Sequence, residues 1–217
     1  MRIDPTRNFL YISHMSEKSS IRSYNLFGET AELADVLHVE TIKARSELHD
    51  WRLKPHRHAR LHQFLFLTHG GGSAEFDGVR HGLREPCLAN VPRGVVHGYL
   101  FDPGSNGWVI TLTSELLDHS LQEGEGVRAP LETPGVVPLS PVMLELARNL
   151  FDEYHQQGFA RAQVLRSLAG TLAGLTARAL QHADEAFQTA TGNPLFARFE
   201  KMIESHFRNR RPLADYA

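Results

Sequence analysis

Between Val36 and Thr113 the chain breaks into about eight short apolar, β-branched or aromatic segments at close spacing, each bounded by turn residues. The segments "VLHVETI" and "SELHDWRL" read as strands, and "HQFLFLTHGGGSAEF" reads as strand, glycine turn, strand. Asp77-Gly78 in "EFDGVRHGL" is a hairpin signal, because both residues tolerate the positive φ that a two-residue turn demands. "CLANVP" and "HGYLF" follow, and "DPGSNG" turns the chain into "WVITLT". Short strands so closely spaced predict a small antiparallel barrel or sandwich. Gly70 to Gly72 is a hairpin turn and not a phosphate loop, since no Lys-Ser/Thr follows and no helix begins there.

Past Thr113 the pattern becomes helical, giving a mixed α and β chain. Ser114 is placed to cap a short helix, "SELLDHSL", and Gln122 to Pro138 reads as a linker. Ser140-Pro141 is an N-cap and first-turn pair opening a helix to about Gln157, with Gly158 as its stop. From Ala160 to Ala186, Leu165, Leu168, Leu172, Leu175 and Ala179 recur at alternating steps of three and four. That spacing fits a heptad seam between two chains or an amphipathic helix packed on its own domain, and both readings stay open. "TGNPLFARFEKMIESHF" is a further amphipathic segment, and "RNRRPLADYA" begins something that it does not finish.

Composition narrows the class. The 217 residues can bury a core, and 41% hydrophobic with 22% charged residues is ordinary for a globular protein. A formal charge of −2 gives no global attraction to nucleic acid or anionic membrane. Cys87 stands alone, which excludes an intrachain disulfide and reads as a small buried hydrophobe. The start "MRIDPTRNFL" has no apolar stretch of signal-peptide type, so a cytoplasmic location is expected.

"PHRHARLHQFLFLTHGGG" carries His56, His58, His62 and His69 within fifteen residues. On a strand, His56 and His58 face the same side, and "VPRGVVHG" delivers His97 after a Pro-x-Gly turn. These pieces resemble the two motifs of the cupin superfamily: His56, His58 and the spaced Gly70 match the first, and Pro92, Gly94 and His97 match the second. Metal-binding cupins join such histidines to a carboxylate. Here Gln63 occupies the acid position, Pro86 the second-motif glycine and Phe101 its asparagine. Without the carboxylate a divalent ion loses charge compensation, so no metal and no cofactor is expected. A pocket for an organic ligand is expected instead, and His62 is placed at its mouth. His69, His81, His119, His155, His182 and His206 read as ordinary surface or turn residues.

A cupin-like barrel, then helices, then "ARFEKMIESHFRNRRPLADYA" resembles the AraC/XylS class of bacterial transcription regulators. Within that class, "YNLFGE", "HVETIKARSELHDWRLKPHRHARLHQFLFL" and "VPRGVVHGYLFDPGSNGWVITL" resemble activators of the p-hydroxybenzoate hydroxylase gene. The resemblance implies an N-terminal arm (1–35), a cupin-like effector-binding barrel (36–122) and a helical linker and dimerisation region (123–190). It implies that 191–217 is the start of a truncated helix-turn-helix DNA-binding domain. Its Arg208, Arg210 and Arg211 are candidates for phosphate contact, weighed against a solvated helix end.

The implied function is a ligand-responsive regulator, an activator, sensing a small aromatic acid such as 4-hydroxybenzoate. Candidate effector contacts are His56, His58, His97 and Arg52 for the carboxylate, Gln63 for a phenol hydroxyl, and Tyr99 and Trp108 as aromatic wall. Leu165, Leu168, Leu172 and Leu175 are the candidate homodimer seam, and promoter DNA is the implied partner of the missing domain. The rival is a cupin metalloenzyme, a dioxygenase or isomerase, using His56, His58 and His97. A dimerisation module with a vestigial barrel is the third reading.

Overall fold

A computed structural model describes residues 22–24, 37–122, 124–191 and 202. The strands, in chain order, are β1 (Arg22–Tyr24), β2 (Leu37–Thr41), β3 (Arg52–His58), β4 (Leu61–His69), β5 (Gly71–Phe76), β6 (Val79–Arg84), β7 (Cys87–Val91), β8 (His97–Phe101), β9 (Asn106–Thr113) and β10 (Gly135–Pro138). The helices are α1 (Ile42–Ser46), α2 (Ser114–Ser120), α3 (Arg128–Leu131), α4 (Pro141–His155) and α5 (Arg161–Thr191).

The strands form two five-stranded sheets, ordered β1-β3-β8-β5-β6 and β10-β7-β4-β9-β2. No ladder joins the sheets among the described residues, so the cupin-like unit is an open sandwich and not a closed barrel. Every pairing is antiparallel except β1 with β3. Leu65, Leu67, Ala89, Val109, Tyr99 and Phe76 fill the space between the sheets. On the opposite face of the second sheet, Phe64, Phe66, Leu88 and Ile110 pack against Leu131, Met143, Leu150, Leu165 and Leu172. The result is three layers: sheet, sheet, helices.

Local chemistry accounts for most elements. Asp77 (φ 46°) and Gly78 (φ 84°) form the β5–β6 hairpin turn. Ser140 accepts a hydrogen bond from Met143 N at 3.3 Å, and Pro141 sits in the first turn of α4. The helix after β9 starts as expected, although Thr113 and not Ser114 is its cap, accepting from Leu116 N at 3.1 Å.

Two stretches differ from the sequence reading. "SELHDWRL" is not one strand: Thr41 caps α1, a 3-10 turn spans Glu47–His49, and Asp50 and Trp51 are left-handed (φ 51° and 60°) before β3 begins. The segment Gln122 to Pro138 is not only linker. It contains α3 and then β10, which pairs with β7 from Gly135↔Asn90 to Pro138↔Cys87. The sheet therefore draws a strand from beyond the stretch assigned to the barrel.

The leucine seam of α5 is largely used within the chain. Leu165 and Leu172 are fully buried in the core under the second sheet, while Leu168 and Leu175 are half-buried at its margin. Of the two readings of that spacing, the amphipathic helix on its own domain describes Leu165 and Leu172. The arm residues outside β1 and, apart from Met202, the segment after Thr191 with Arg208, Arg210 and Arg211 lie outside the described residues.

Close backbone approach fixes where β4 and β9 meet. A β-carbon on Gly107 (φ 148°) would collide with the Phe66 carbonyl oxygen. Gly107→Ala is expected to lower unfolding free energy by on the order of 2–4 kcal/mol, from strain plus collision. Urea denaturation checks this; a loss within the scatter of surface variants would show that β9 shifts freely.

Candidate functional site

β3 carries His56 and His58, both buried, on the face turned toward the second sheet. Alternation along β3 is broken just before them. Leu53 pairs with Tyr99 and His56 with His97, so three steps on β3 oppose two on β8. The extra residue falls beside Pro55, which has no N–H to give a ladder. This bulge places His56 opposite His97 and turns Arg52 outward: Arg52 pairs with exposed Leu100 and is itself exposed. Arg52 therefore does not face the three histidines, and a parity count across the bulge misplaces it.

The three imidazoles close into a triangle. Ring centroids lie 4.4 Å apart for His56–His97, 5.2 Å for His56–His58 and 5.5 Å for His58–His97. One ligand nitrogen from each falls within 4.8 Å of the others. His97 also meets Tyr99 edge-on at 6.0 Å, and Tyr99 stacks on Phe101 at 5.3 Å. Across the gap β4 supplies Gln63, buried and paired in register with Thr111. Thr111 was not singled out from the sequence; it is identified by the β4–β9 register, which composition does not reveal.

Hydrogen bonds fix the tautomers. His56 Nδ1 lies 2.8 Å from the Lys54 carbonyl and His97 Nδ1 lies 3.0 Å from the Val95 carbonyl, so both Nδ1 atoms donate. His97 Nε2 then faces the Gln63 amide at 3.1 Å, and the other end of that amide is 3.2 Å from the Thr111 hydroxyl. A neutral His97 requires an N–H donor at Nε2's partner, hence an amide presenting its nitrogen to the ring and its oxygen to Thr111. An amide presenting oxygen requires an imidazolium. Burial holds His97 well below the ordinary histidine range, with the neighbouring His56 acting the same way, so the neutral ring is favoured. Burial likewise lowers His56.

Those bonds also test a metal. Three neutral imidazoles suit a divalent transition ion in kind. Both nitrogens of His97 are engaged, however, by Val95 and Gln63. An ion could take all three rings only by displacing Gln63, so the residues as arranged do not fit it. Protein purified without a metal-affinity column is expected to hold no stoichiometric zinc, iron, nickel or manganese by elemental analysis. One ion per chain, lost in His56→Ala, would contradict this.

Two further candidates sit elsewhere. Trp108 belongs to the helix-facing side of β9, where it meets Phe151 at 5.9 Å and the helical core, so it walls no space between the sheets. His62 precedes Gln63 on β4 and so faces away from the triad, with Nε2 2.7 Å from Asn90 Oδ1. Asn90 in turn donates from Nδ2 to the Leu131 and Thr133 carbonyls, at 3.0 and 2.8 Å. A small open cleft of about 30 Å³ lies on this helical side, lined in part by His62. It is distinct from the triad, where buried polar groups converge between the sheets.

Burial lowers His62 to about 4. The unfolded ring takes a proton near 6.5 while the folded ring stays neutral down to about 4, so acidification favours unfolding. Stability is expected to fall by roughly 3 kcal/mol between pH 6.5 and 4 from this group, with His56 and His97 acting in the same direction. Urea midpoints at pH 7 and pH 5 measure the drop, and a flat profile would contradict the buried neutral rings.

Residues 38–171 match the family model of the AraC-like ligand-binding domain. The chain belongs to that family, and this portion is the ligand-receiving part of an AraC-type transcriptional regulator. Among solved structures the chain is similar to a crystal structure of an apo ToxT variant from Vibrio cholerae, with 9% identity and a TM-score of 0.44. The match covers 86% of this chain and 70% of that one. No curated protein matches. No described helix is long and apolar enough to cross a membrane.

Proposed function

We propose that this chain senses a small aromatic acid, 4-hydroxybenzoate or a close relative, at the buried cluster of His56, His58, His97, Gln63 and Tyr99, and that it acts as a transcriptional activator. The convergence of three buried histidines on the inner face of a ligand-binding family carries the reading. The sequence likeness to activators of the p-hydroxybenzoate hydroxylase gene supports the choice of acid. The cupin metalloenzyme reading is not favoured, because Gln63 holds His97 in place of a carboxylate ligand.

The tautomers add a requirement. The Nδ1–H groups of neutral His56 and His97 are used by backbone carbonyls and Nε2 of His97 by the Gln63 amide, so these rings present no N–H donor to a carboxylate. A carboxylate binding there brings or takes up a proton. Calorimetry with 4-hydroxybenzoate, 3-hydroxybenzoate and benzoate is expected to show one clear binder. Its heat should depend on the buffer's ionisation enthalpy, reporting proton uptake. His97→Ala should weaken binding by about 1–3 kcal/mol. Absence of heat and of a melting shift for all three acids would sink the proposal.

In the same reading residues 1–35 are an arm, 36–122 the effector unit, 123–190 the helical dimerisation region and 191–217 the start of a DNA-binding domain that contacts promoter DNA. A homodimer through α5 would use the half-buried Leu168 and Leu175 and not the fully buried Leu165 and Leu172. Leu168→Glu with Leu175→Glu is then expected to sediment as a folded monomer. A variant that stays dimeric would place the partner surface elsewhere.

A further inference from the structure

The outer face of the first sheet, turned away from the histidines, is strongly charged. Arg52, Lys54 and Arg57 are exposed on β3, and Arg80 and Arg84 are exposed on β6. In the order β1-β3-β8-β5-β6 these two strands are three positions apart. Two rows of cations therefore stand about 14 Å apart, at about 4.8 Å per strand. Between the rows the register sets uncharged groups: Arg52 pairs with Leu100, Leu100 with Ser73, and Ser73 with Gly82. A β-carbon on Gly82 would meet nothing within 4 Å, so the face is open there.

Among the described residues none of these five cations is held in an ion pair. The acids on the same face are Glu75, directly opposite Arg80, and Asp102, beside Gly71 and thus near Arg84. The β3 row has no such counter-charge, so the face is positive although the whole chain carries −2. A guanidinium fork matches the oxygens of phosphate or carboxylate, and a row of them selects a polyanion. Two observations select duplex DNA. The chain belongs to a family of transcriptional regulators, which work on DNA. The spacing of the rows is also comparable with the major groove, about 12 Å wide, so each row can follow one phosphate ridge while Leu100 and Ser73 face the open groove.

We propose that the outer face of the first sheet is a DNA-backbone contact surface, its two cation rows holding duplex phosphates without reading the sequence. The surface is separate from the histidine cluster. Arg57 stands between His56 and His58 on β3, exposed where they are buried, so the two sites occupy opposite faces of one strand. Such a contact holds the sensing unit against the duplex that the rest of the regulator reads.

Fluorescence anisotropy of a short labelled duplex of arbitrary sequence, titrated with the 217-residue chain over a range of salt, tests the assignment. Saturable binding is expected at low salt, with log K falling against log salt by about 0.9 per phosphate contact. Arg52→Gln with Arg57→Gln should reduce that slope by roughly 1.8 and weaken binding about tenfold. Gly82→Glu, which sets an acid in open space between Arg80 and Arg84, should weaken it as well. Arg148→Gln with Arg178→Gln, which removes two exposed cations from α4 and α5, should leave slope and affinity unchanged. Far-UV circular dichroism checks that each variant is folded. Absence of saturable binding at low salt, a slope untouched by the β3 variant, affinity untouched by Gly82→Glu, or an equal loss in the helix variant would each overturn the proposal. Displacement of the duplex by poly-L-glutamate at equal charge concentration would assign the face to an acidic protein surface and overturn it too.

Discussion

Strand β4 is buried on both faces, and the rest of the molecule is arranged around that condition. From Leu61 to Leu67 seven consecutive residues are inaccessible, including the polar His62 and Gln63. A strand in this state needs hydrogen-bonded neighbours at both edges and an apolar layer on each side. β7 and β9 supply the edges, the first sheet covers Gln63, Leu65 and Leu67, and the helices cover His62, Phe64 and Phe66. Burying one phenylalanine contributes about 1.5–3 kcal/mol, so the two on the helical side form a substantial part of what holds α4 and α5 to the sheet.

Polar groups on so buried a strand must be satisfied locally, and both are. Gln63 bridges His97 and Thr111, while His62 is held by Asn90, which ties the sheet to the loop after α3. The second link also explains why β10 belongs to the sheet. Asn90 anchors Thr133 just before Gly135 enters register with Asn90 itself.

Features that depend on a few adjacent residues were legible in the sequence. The Asp77-Gly78 turn, the Ser140-Pro141 helix start and the His-x-His pair each carry their reason within a few positions. Strand parity carried Gln63 and Tyr99 to the histidine side correctly in space. It failed for Arg52, because one extra residue beside Pro55 reverses the count, and for Trp108 and His62, because an all-buried sheet gives no polar face to orient it. Pro55 inside "RLKPHRH" was the available warning of a bulge. The turn at Glu47–His49 was hidden in a stretch with strand-like composition, where the Thr41 cap and the left-handed Asp50 and Trp51 decide the path. The seam on α5 has one spacing for two uses, and only packing separates them.

Helix α5 runs 31 residues, about 46 Å at 1.5 Å per residue. Its buried contacts cluster between Leu165 and Ala177, whereas Gln181 to Ala186 are all exposed and the helix continues to Thr191. Mechanically this is a rod clamped along one part of its length. From Leu172 to Thr191 is about 28 Å, so each degree of tilt in the clamp displaces the far end by about 0.5 Å. Displacements too small to see among packed leucines are thereby enlarged at the point where α5 hands on to the residues that follow it.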